Sequence, residues 1–176
     1  MNYGEIKKND IANGNGVRVS LFVSGCRNKC PNCFNRDTWD FGFGKPFTKD
    51  TLEEILKALS PQYVSGLSLL GGEPFEPENQ EELLRLTDTV RKTYPNKDIW
   101  CYTGFTYEEL FLPDCRAHTE NTSALLSNID ILVDGRYIEA QKNISLQFRG
   151  SENQRVIDLN KTRKTGEITL WESLRR

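Results

Sequence analysis

The sequence has few of the features that mark membrane, secreted or nucleic-acid-binding proteins. Its apolar runs are only a few residues long, far short of the ~18 that a membrane-spanning helix requires. The first eight residues contain no apolar stretch, so we expect no secretory signal and a cytoplasmic protein. Lys and Arg total 23 against 25 Asp and Glu, and a formal net charge of −2 provides no basic surface for nucleic acid. We therefore expect neither a membrane nor a nucleic acid as partner.

The five cysteines are the most informative residues. Their odd number excludes complete internal pairing, and a chain without a secretory signal seldom forms disulfides. Cys26, Cys30 and Cys33 lie within eight residues, with CxxxCxxC spacing. Iron–sulfur clusters ordinarily have four cysteine ligands, so three thiolates on one loop would leave one iron open. An open iron can bind a molecule with chelating oxygen and nitrogen atoms, such as the amino acid end of S-adenosylmethionine.

A structural zinc site is the alternative interpretation of the three cysteines, because zinc tolerates varied ligand spacing. Cys101 or Cys115 would then be a fourth thiolate, or His118 would complete a Cys₃His set. Cys101 lies within an apolar segment, which is more typical of a small buried thiol. Cys115 and His118 lie in a polar loop, and the sequence assigns neither of them a role.

Strand-like and helix-like segments alternate along the chain. Apolar residues at helical spacing predict helices over 52–59 and 83–94, and Asp50 with Glu53 has the spacing of a capping box before the first. The predicted strands are 17–23, 66–70, 99–102 and 129–133, with weaker candidates at 146–148 and 155–159. Strands joined through helices favour an α/β fold with a mostly parallel sheet.

A complete (β/α)₈ barrel takes about 250 residues, which is more than the 176 available. We therefore expect a partial, open β/α barrel over residues 1–160, followed by a charged carboxyl-terminal tail over 161–176. Chemistry in such sheets gathers at the carboxyl ends of the strands. The four predicted strands run into conspicuous loops at 24–26, 71–74, 103–104 and 134–136.

The loop Gly71-Gly72-Glu73-Pro74 is the second feature that suggests a ligand. Paired glycines let the backbone approach a bound molecule closely. Their carbonyls can accept hydrogen bonds from an ammonium group, to which Glu73 adds a charge-assisted bond. A tight turn between strand and helix explains the same residues without any ligand.

The cysteine triplet after the first predicted strand, with GGEP after the second, resembles the radical S-adenosylmethionine superfamily. Within it, the chain is similar to the family of activating proteins of anaerobic ribonucleoside-triphosphate reductase. The segments that carry this similarity are Asp10–Arg18, Leu21–Cys26, Cys30–Asn35, Trp39, Asp98–Gly104, Val133–Arg136 and Phe148–Arg155. Asn15 stands where the family commonly has proline, and Asn32 stands where it commonly has glycine.

The resemblance implies a set of ligands and contacts. Cys26, Cys30 and Cys33 would hold a [4Fe-4S] cluster whose open iron chelates S-adenosylmethionine. The residues around that cofactor would be Asn32, Cys33, Phe34, Gly71, Gly72 and Glu73, with Thr103 and Asp134 as further neighbours.

The resemblance also implies an activity. Reductive cleavage of S-adenosylmethionine would give a 5′-deoxyadenosyl radical, which removes hydrogen from a glycine of the reductase and leaves a glycyl radical. The protein partners would be the anaerobic reductase and an electron donor such as reduced flavodoxin. The alternative within the superfamily is another radical enzyme, either a different glycyl radical activase or an enzyme that acts on a small molecule.

Overall fold

A mixed seven-stranded sheet forms the centre of the molecule. The computed structural model describes residues 1–172, so residues 173–176 of the expected tail lie outside the described part. The strands are β1 (Asn2–Asp10), β2 (Val17–Val23), β3 (Lys45–Pro46), β4 (Val64–Gly71), β5 (Asp98–Tyr102), β6 (Ile131–Asp134) and β7 (Arg155–Asp158). Their order across the sheet is β3-β1-β2-β4-β5-β6-β7.

Parallel pairing is confined to the middle of the sheet. Strands β2, β4, β5 and β6 pair in parallel, whereas β1, β3 and β7 pair with their neighbours in antiparallel fashion. The expectation of an α/β fold is confirmed. The expectation of a mostly parallel sheet holds for the centre and not for the edges, because β1 turns back into β2 through the short 11–16 loop, too short for a crossover.

Within residues 1–172, four α-helices accompany the sheet, namely α1 (Lys49–Leu59), α2 (Pro77–Thr93), α3 (Thr122–Ser127) and α4 (Leu159–Thr165). Helices α1 and α2 confirm the two helices expected from apolar spacing. The cap of α1 differs from the expected one, because the reciprocal hydrogen bonds join Thr48 and Thr51 rather than Asp50 and Glu53. No helix within residues 1–172 combines the length and apolar content needed to cross a bilayer.

The two faces of the sheet have different surroundings. Side chains alternate along each strand, so Val19 and Leu21 of β2 pack with apolar residues of α1, α2 and α3 in the main core. The opposite face carries a smaller cluster built on Trp100, Ile131, Val133 and Val156.

The carboxyl-terminal segment packs against this second face. Leu170 forms an isolated bridge with Ile157, and the rings of Trp171 and Trp100 meet edge to face at 5.1 Å. Phe148 contacts Trp100 at the same centroid distance of 5.1 Å. Part of the region expected to be a surface tail is therefore packed beneath the sheet.

Arg18 is a fully buried cation on the second face. Its guanidinium donates to Ser68 Oγ at 2.7 Å, to the Leu67 carbonyl at 2.9 Å and to the Asn15 carbonyl at 3.0 Å. It also pairs with Asp98 Oδ1 at 2.6 Å. Arg18 therefore ties the 11–16 loop to two strands of the parallel centre.

We expect Arg18→Met to lower the free energy of unfolding of the metal-free protein by about 3 kcal/mol, because several buried acceptors lose their donor. Urea unfolding followed by circular dichroism measures this change. The matched control is Lys8→Met, which removes an exposed ion pair with Glu54 and should change stability by less than about 1 kcal/mol. Equal losses in the two variants would contradict the role of Arg18.

Candidate functional site

A cavity of about 530 Å³ lies where the parallel strands end. Its volume is within the range of about 300–1,000 Å³ typical of small-molecule sites. All three clustered cysteines line it. The residues predicted for the site that line this cavity are Cys26, Cys30, Cys33, Phe34, Gly71, Gly72, Glu73 and Thr103.

The three thiols share the cavity wall without converging on one point. Burial, followed by the charge of Glu73, raises the pKa of Cys26 to about 12. Burial also raises the pKa of Cys30, with the nearby Cys33 as the next cause. Within residues 1–172, no three Cys, His, Asp or Glu side chains are placed to hold one metal ion. Ligands of a cubane each bind a different iron, so three thiols along one cavity wall are compatible with such a cluster.

The loop that carries the cysteines depends on left-handed backbone conformations. Asn32 has φ of +57° and Lys29 has φ of +46°. Asparagine and glycine adopt this region more readily than other residues, so Asn32 suits its position in the loop. Asn32 is exposed and lines a neighbouring groove of about 410 Å³ rather than the main cavity.

The glycine pair brings two loops into backbone contact. Gly71 has φ of +106°, and a Cβ atom on Gly72 would lie 2.6 Å from the Gly25 carbonyl oxygen. The backbone N–H of Glu73 donates to that same oxygen at 2.8 Å. A side chain at position 72 would therefore separate the loop after β4 from the loop that leads into Cys26.

Glu73 is buried and its carboxylate accepts four hydrogen bonds. Oε1 accepts from Phe75 N–H at 2.9 Å and from Thr103 Oγ1 at 2.8 Å. Oε2 accepts from Gly104 N–H at 2.7 Å and from Asn28 Nδ2 at 3.0 Å. Burial outweighs these bonds and raises the pKa of Glu73 to about 7. This carboxylate joins three loops of the cavity wall.

Asp134 occupies a different position from the other predicted residues. It is fully buried and does not line the cavity. Its carboxylate accepts from Arg155 Nε at 3.0 Å and from Tyr107 N–H at 2.7 Å. The carboxylate of Asp134 therefore bonds to protein groups rather than facing the cavity. Through Arg155 it links the end of β6 to β7.

Several polar side chains that were not predicted for the site also line the cavity, and three of them have an unpartnered buried atom. Trp39 Nε1, Tyr102 Oη and Arg149 Nε are buried and have no hydrogen-bond partner within residues 1–172. Buried polar groups are rarely unpaired in folded proteins. These donors therefore fit a ligand rich in acceptor atoms. The alternation of side chains between the two faces of β5 was the only feature of the sequence that could have pointed to Tyr102.

The candidates for a fourth zinc ligand lie elsewhere. Cys101 is fully buried in the main core, and Cys115 packs against that core. His118 Nδ1 is 2.9 Å from the Leu110 carbonyl oxygen. None of these three residues lines the cavity.

Comparison with known proteins agrees with this donor set. A protein-family model described as a 4Fe-4S single cluster domain matches residues 12–157. The anaerobic ribonucleoside-triphosphate reductase-activating protein of Enterobacteria phage T4 is 40% identical over 158 residues, which cover 89% of this chain and 93% of the phage protein. The chain belongs to this family. The Escherichia coli K12 member is 39% identical over 158 residues, covering 89% and 97% of the two chains.

The family resemblance expected from the motifs is thus confirmed over most of the chain. The Vibrio cholerae member gives the same result, with 40% identity over 156 residues that cover 88% of this chain and 96% of its own. The 4Fe-4S match contains all three cavity cysteines.

We expect the metal-free protein to lose stability as pH rises from about 4.5 to about 7. The pKa of Glu73 is raised from 4.5 to about 7 in the folded state, so the folded state keeps a proton that the unfolded chain releases. The loss is on the order of 3 kcal/mol at most. Acids whose pKa is lowered in the folded state gain their stabilising effect mainly below this window and around its lower edge.

Urea unfolding at several pH values measures the slope, and Glu73→Gln should abolish most of it because an amide does not titrate. Glu53→Gln is the control, since Glu53 is an exposed residue of α1. An unchanged slope in the Glu73 variant would show that another group binds the proton.

Proposed function

We propose that this protein activates an anaerobic ribonucleoside-triphosphate reductase by reductive cleavage of S-adenosylmethionine at a [4Fe-4S] cluster. The observation that carries the proposal is one cavity lined by three thiols of a single loop and by the Gly71-Gly72-Glu73 loop. The names of the relatives supply the partner, since each is an activating protein of that reductase.

Cys26, Cys30 and Cys33 would hold the cluster, because each can reach a different iron from the same loop. When bound, the cluster and S-adenosylmethionine would supply a 5′-deoxyadenosyl radical, formed with one electron from a donor such as reduced flavodoxin. That radical would take a hydrogen atom from a glycine of the reductase. Cys26, Cys30 and Cys33 are the cysteines that line the cavity within residues 1–172, so one corner of the cluster would be available for a ligand.

The loop after β4 would bind the ammonium of the cofactor. Gly71 and Gly72 let this loop lie against the backbone of β2 and of Gly25, because a Cβ atom on either glycine would clash there. Glu73 contributes negative charge, and Thr103 holds its Oε1 atom at 2.8 Å. These residues would orient the ligand relative to the cysteine loop.

The segment around Cys33 would form another part of the cofactor site. The side chain of Phe34 is 97% exposed and borders the cavity, which leaves its ring available to stack on an adenine. Asn32 would contribute backbone contacts through its left-handed conformation. Asp134 would contribute without touching the cofactor, because its hydrogen bond from Arg155 holds the end of β6 in place.

We also propose that the sheet curves into an open barrel around the cavity. Lys7 of β1 and Val133 of β6 line the same cavity, although three strands lie between β1 and β6. Neighbouring strands are about 4.8 Å apart, so a flat sheet would hold these residues far from each other. The open side of such a barrel would admit the glycine loop of the reductase.

Cys30→Ala tests the ligand assignment. We expect loss of the cluster absorbance and of 5′-deoxyadenosine release, with less than about 2 kcal/mol lost in stability because Cys30 is only half-buried. Cys115→Ala is the matched control, since Cys115 lies outside the cavity, and it should retain about four irons per chain.

Electron paramagnetic resonance of the reduced protein with the anaerobic reductase and S-adenosylmethionine tests the activity, and a glycyl radical on the reductase is the expected signal. Cofactor cleavage without this signal would favour another radical enzyme of the superfamily. Zinc without sulfide after anaerobic purification would overturn the proposal.

A further inference from the structure

Glu76 is a buried carboxylate that the proposed chemistry does not use. It lies at the amino-terminal end of α2, where it is the N-cap residue, and its side chain is 0% exposed. Glu76 does not line the cavity. Its charge therefore does not serve direct contact with a ligand bound there. A buried charge is costly unless it is paired, so its partners indicate what it does.

Arg27, between Cys26 and Cys30, is the first of these partners. Its backbone N–H donates to Glu76 Oε1 at 2.7 Å, and its guanidinium Nη1 donates to Oε2 at 2.6 Å. The guanidinium also lies 4.3 Å from the centre of the Phe41 ring. Glu76 thus holds the residue directly after the first cysteine by main chain and side chain together.

Arg116 extends the contact to the next residue of the cysteine loop. Its Nη2 atom lies 3.3 Å from Glu76 Oε1 and also donates to Asn28 Oδ1. Asn28 in turn donates to Glu73 Oε2 at 3.0 Å. The two residues after Cys26 are therefore connected to both buried glutamates of the GGEPFE segment.

We propose that Glu76 is a positioning residue that holds the cysteine loop in the conformation required to retain the cluster. The inference rests on the proposed function, in which Cys26, Cys30 and Cys33 hold that cluster. Its structural basis is that α2 packs in the main core through Leu83 and Leu86, so its first turn gives the loop a fixed anchor.

Glu78 provides a matched control in the same ion pair. Its carboxylate also accepts from the Arg27 guanidinium, at 3.0 Å from Nη1 to Oε2. Unlike Glu76, its side chain is 46% exposed, and its bonds to Arg27 involve only the guanidinium. Glu78→Ala therefore removes one negative charge beside the Arg27 guanidinium, while the hydrogen bond from Arg27 N–H to Glu76 stays in place.

The experiment reconstitutes the full chain anaerobically as wild type, Glu76→Ala, Glu76→Gln and Glu78→Ala, and measures the rate of iron release to bathophenanthroline disulfonate. We expect about tenfold faster release from Glu76→Ala, since the partly buried backbone N–H of Arg27 loses its acceptor. Glu76→Gln should stay within about threefold of wild type because its amide oxygen still accepts from Arg27 N–H. Glu78→Ala should stay within about twofold.

The reduction potential of the cluster is a second readout that a purely structural role would not change. Glu76→Gln should raise it, because a buried negative charge beside the loop is lost while Arg27 and Arg116 remain. Glu78→Ala should leave the potential unchanged, since solvent and salt screen an exposed carboxylate. If Glu76→Ala does not fold, the Glu76→Gln potential decides the question.

Equal iron release from Glu76→Ala and wild type would overturn the inference, as would equal effects of Glu76→Ala and Glu78→Ala. An unchanged potential in Glu76→Gln would overturn it as well. In each case a wild-type protein with about four irons per chain leaves the proposed function intact. A wild-type protein that binds no cluster would overturn the proposed function first.

Discussion

The close backbone contact between the loops after β2 and β4 is the constraint on which the candidate site depends. The carbonyl oxygen of Gly25 would be 2.6 Å from a Cβ atom on Gly72, and it accepts a hydrogen bond from the N–H of Glu73. Parallel pairing of β2 with β4 sets the two strand ends side by side. Cys26 therefore begins its loop beside the GGE segment, and the thiols and the glycines come to share one cavity.

Two buried carboxylates, Glu73 and Glu76, lie beside this contact and have different surroundings. Glu73 has only neutral donors around it, and burial therefore raises its pKa. Glu76 instead faces two guanidinium groups, from Arg27 and Arg116. The first joins the loops that form the cavity wall, and the second connects the cysteine loop to α2. The short segment from Glu73 to Glu76 thus contributes to the cavity wall and also attaches the cysteine loop to α2.

Local patterns in the sequence predicted the parallel centre of the sheet and the position of the cysteine loop after β2. Strand β1 was missed because Glu5, Lys7 and Lys8 make it look like a polar surface segment, although an edge strand tolerates such residues. The surroundings of Asp134 were also beyond prediction, since its partner Arg155 is 21 residues away. Spacing reveals ligands within one loop, whereas contacts between distant segments depend on how the strands are ordered in the sheet.

The packing of Trp171 against Trp100 bears on how far the chain could be shortened. The family match ends at residue 157, yet the indole of Trp171 covers part of an aromatic cluster beneath the sheet. A protein shortened to the matched domain would present this cluster to solvent, and a contiguous apolar patch of that kind promotes self-association. The segment that carries Trp171 thus packs against the sheet and also limits exposed apolar surface.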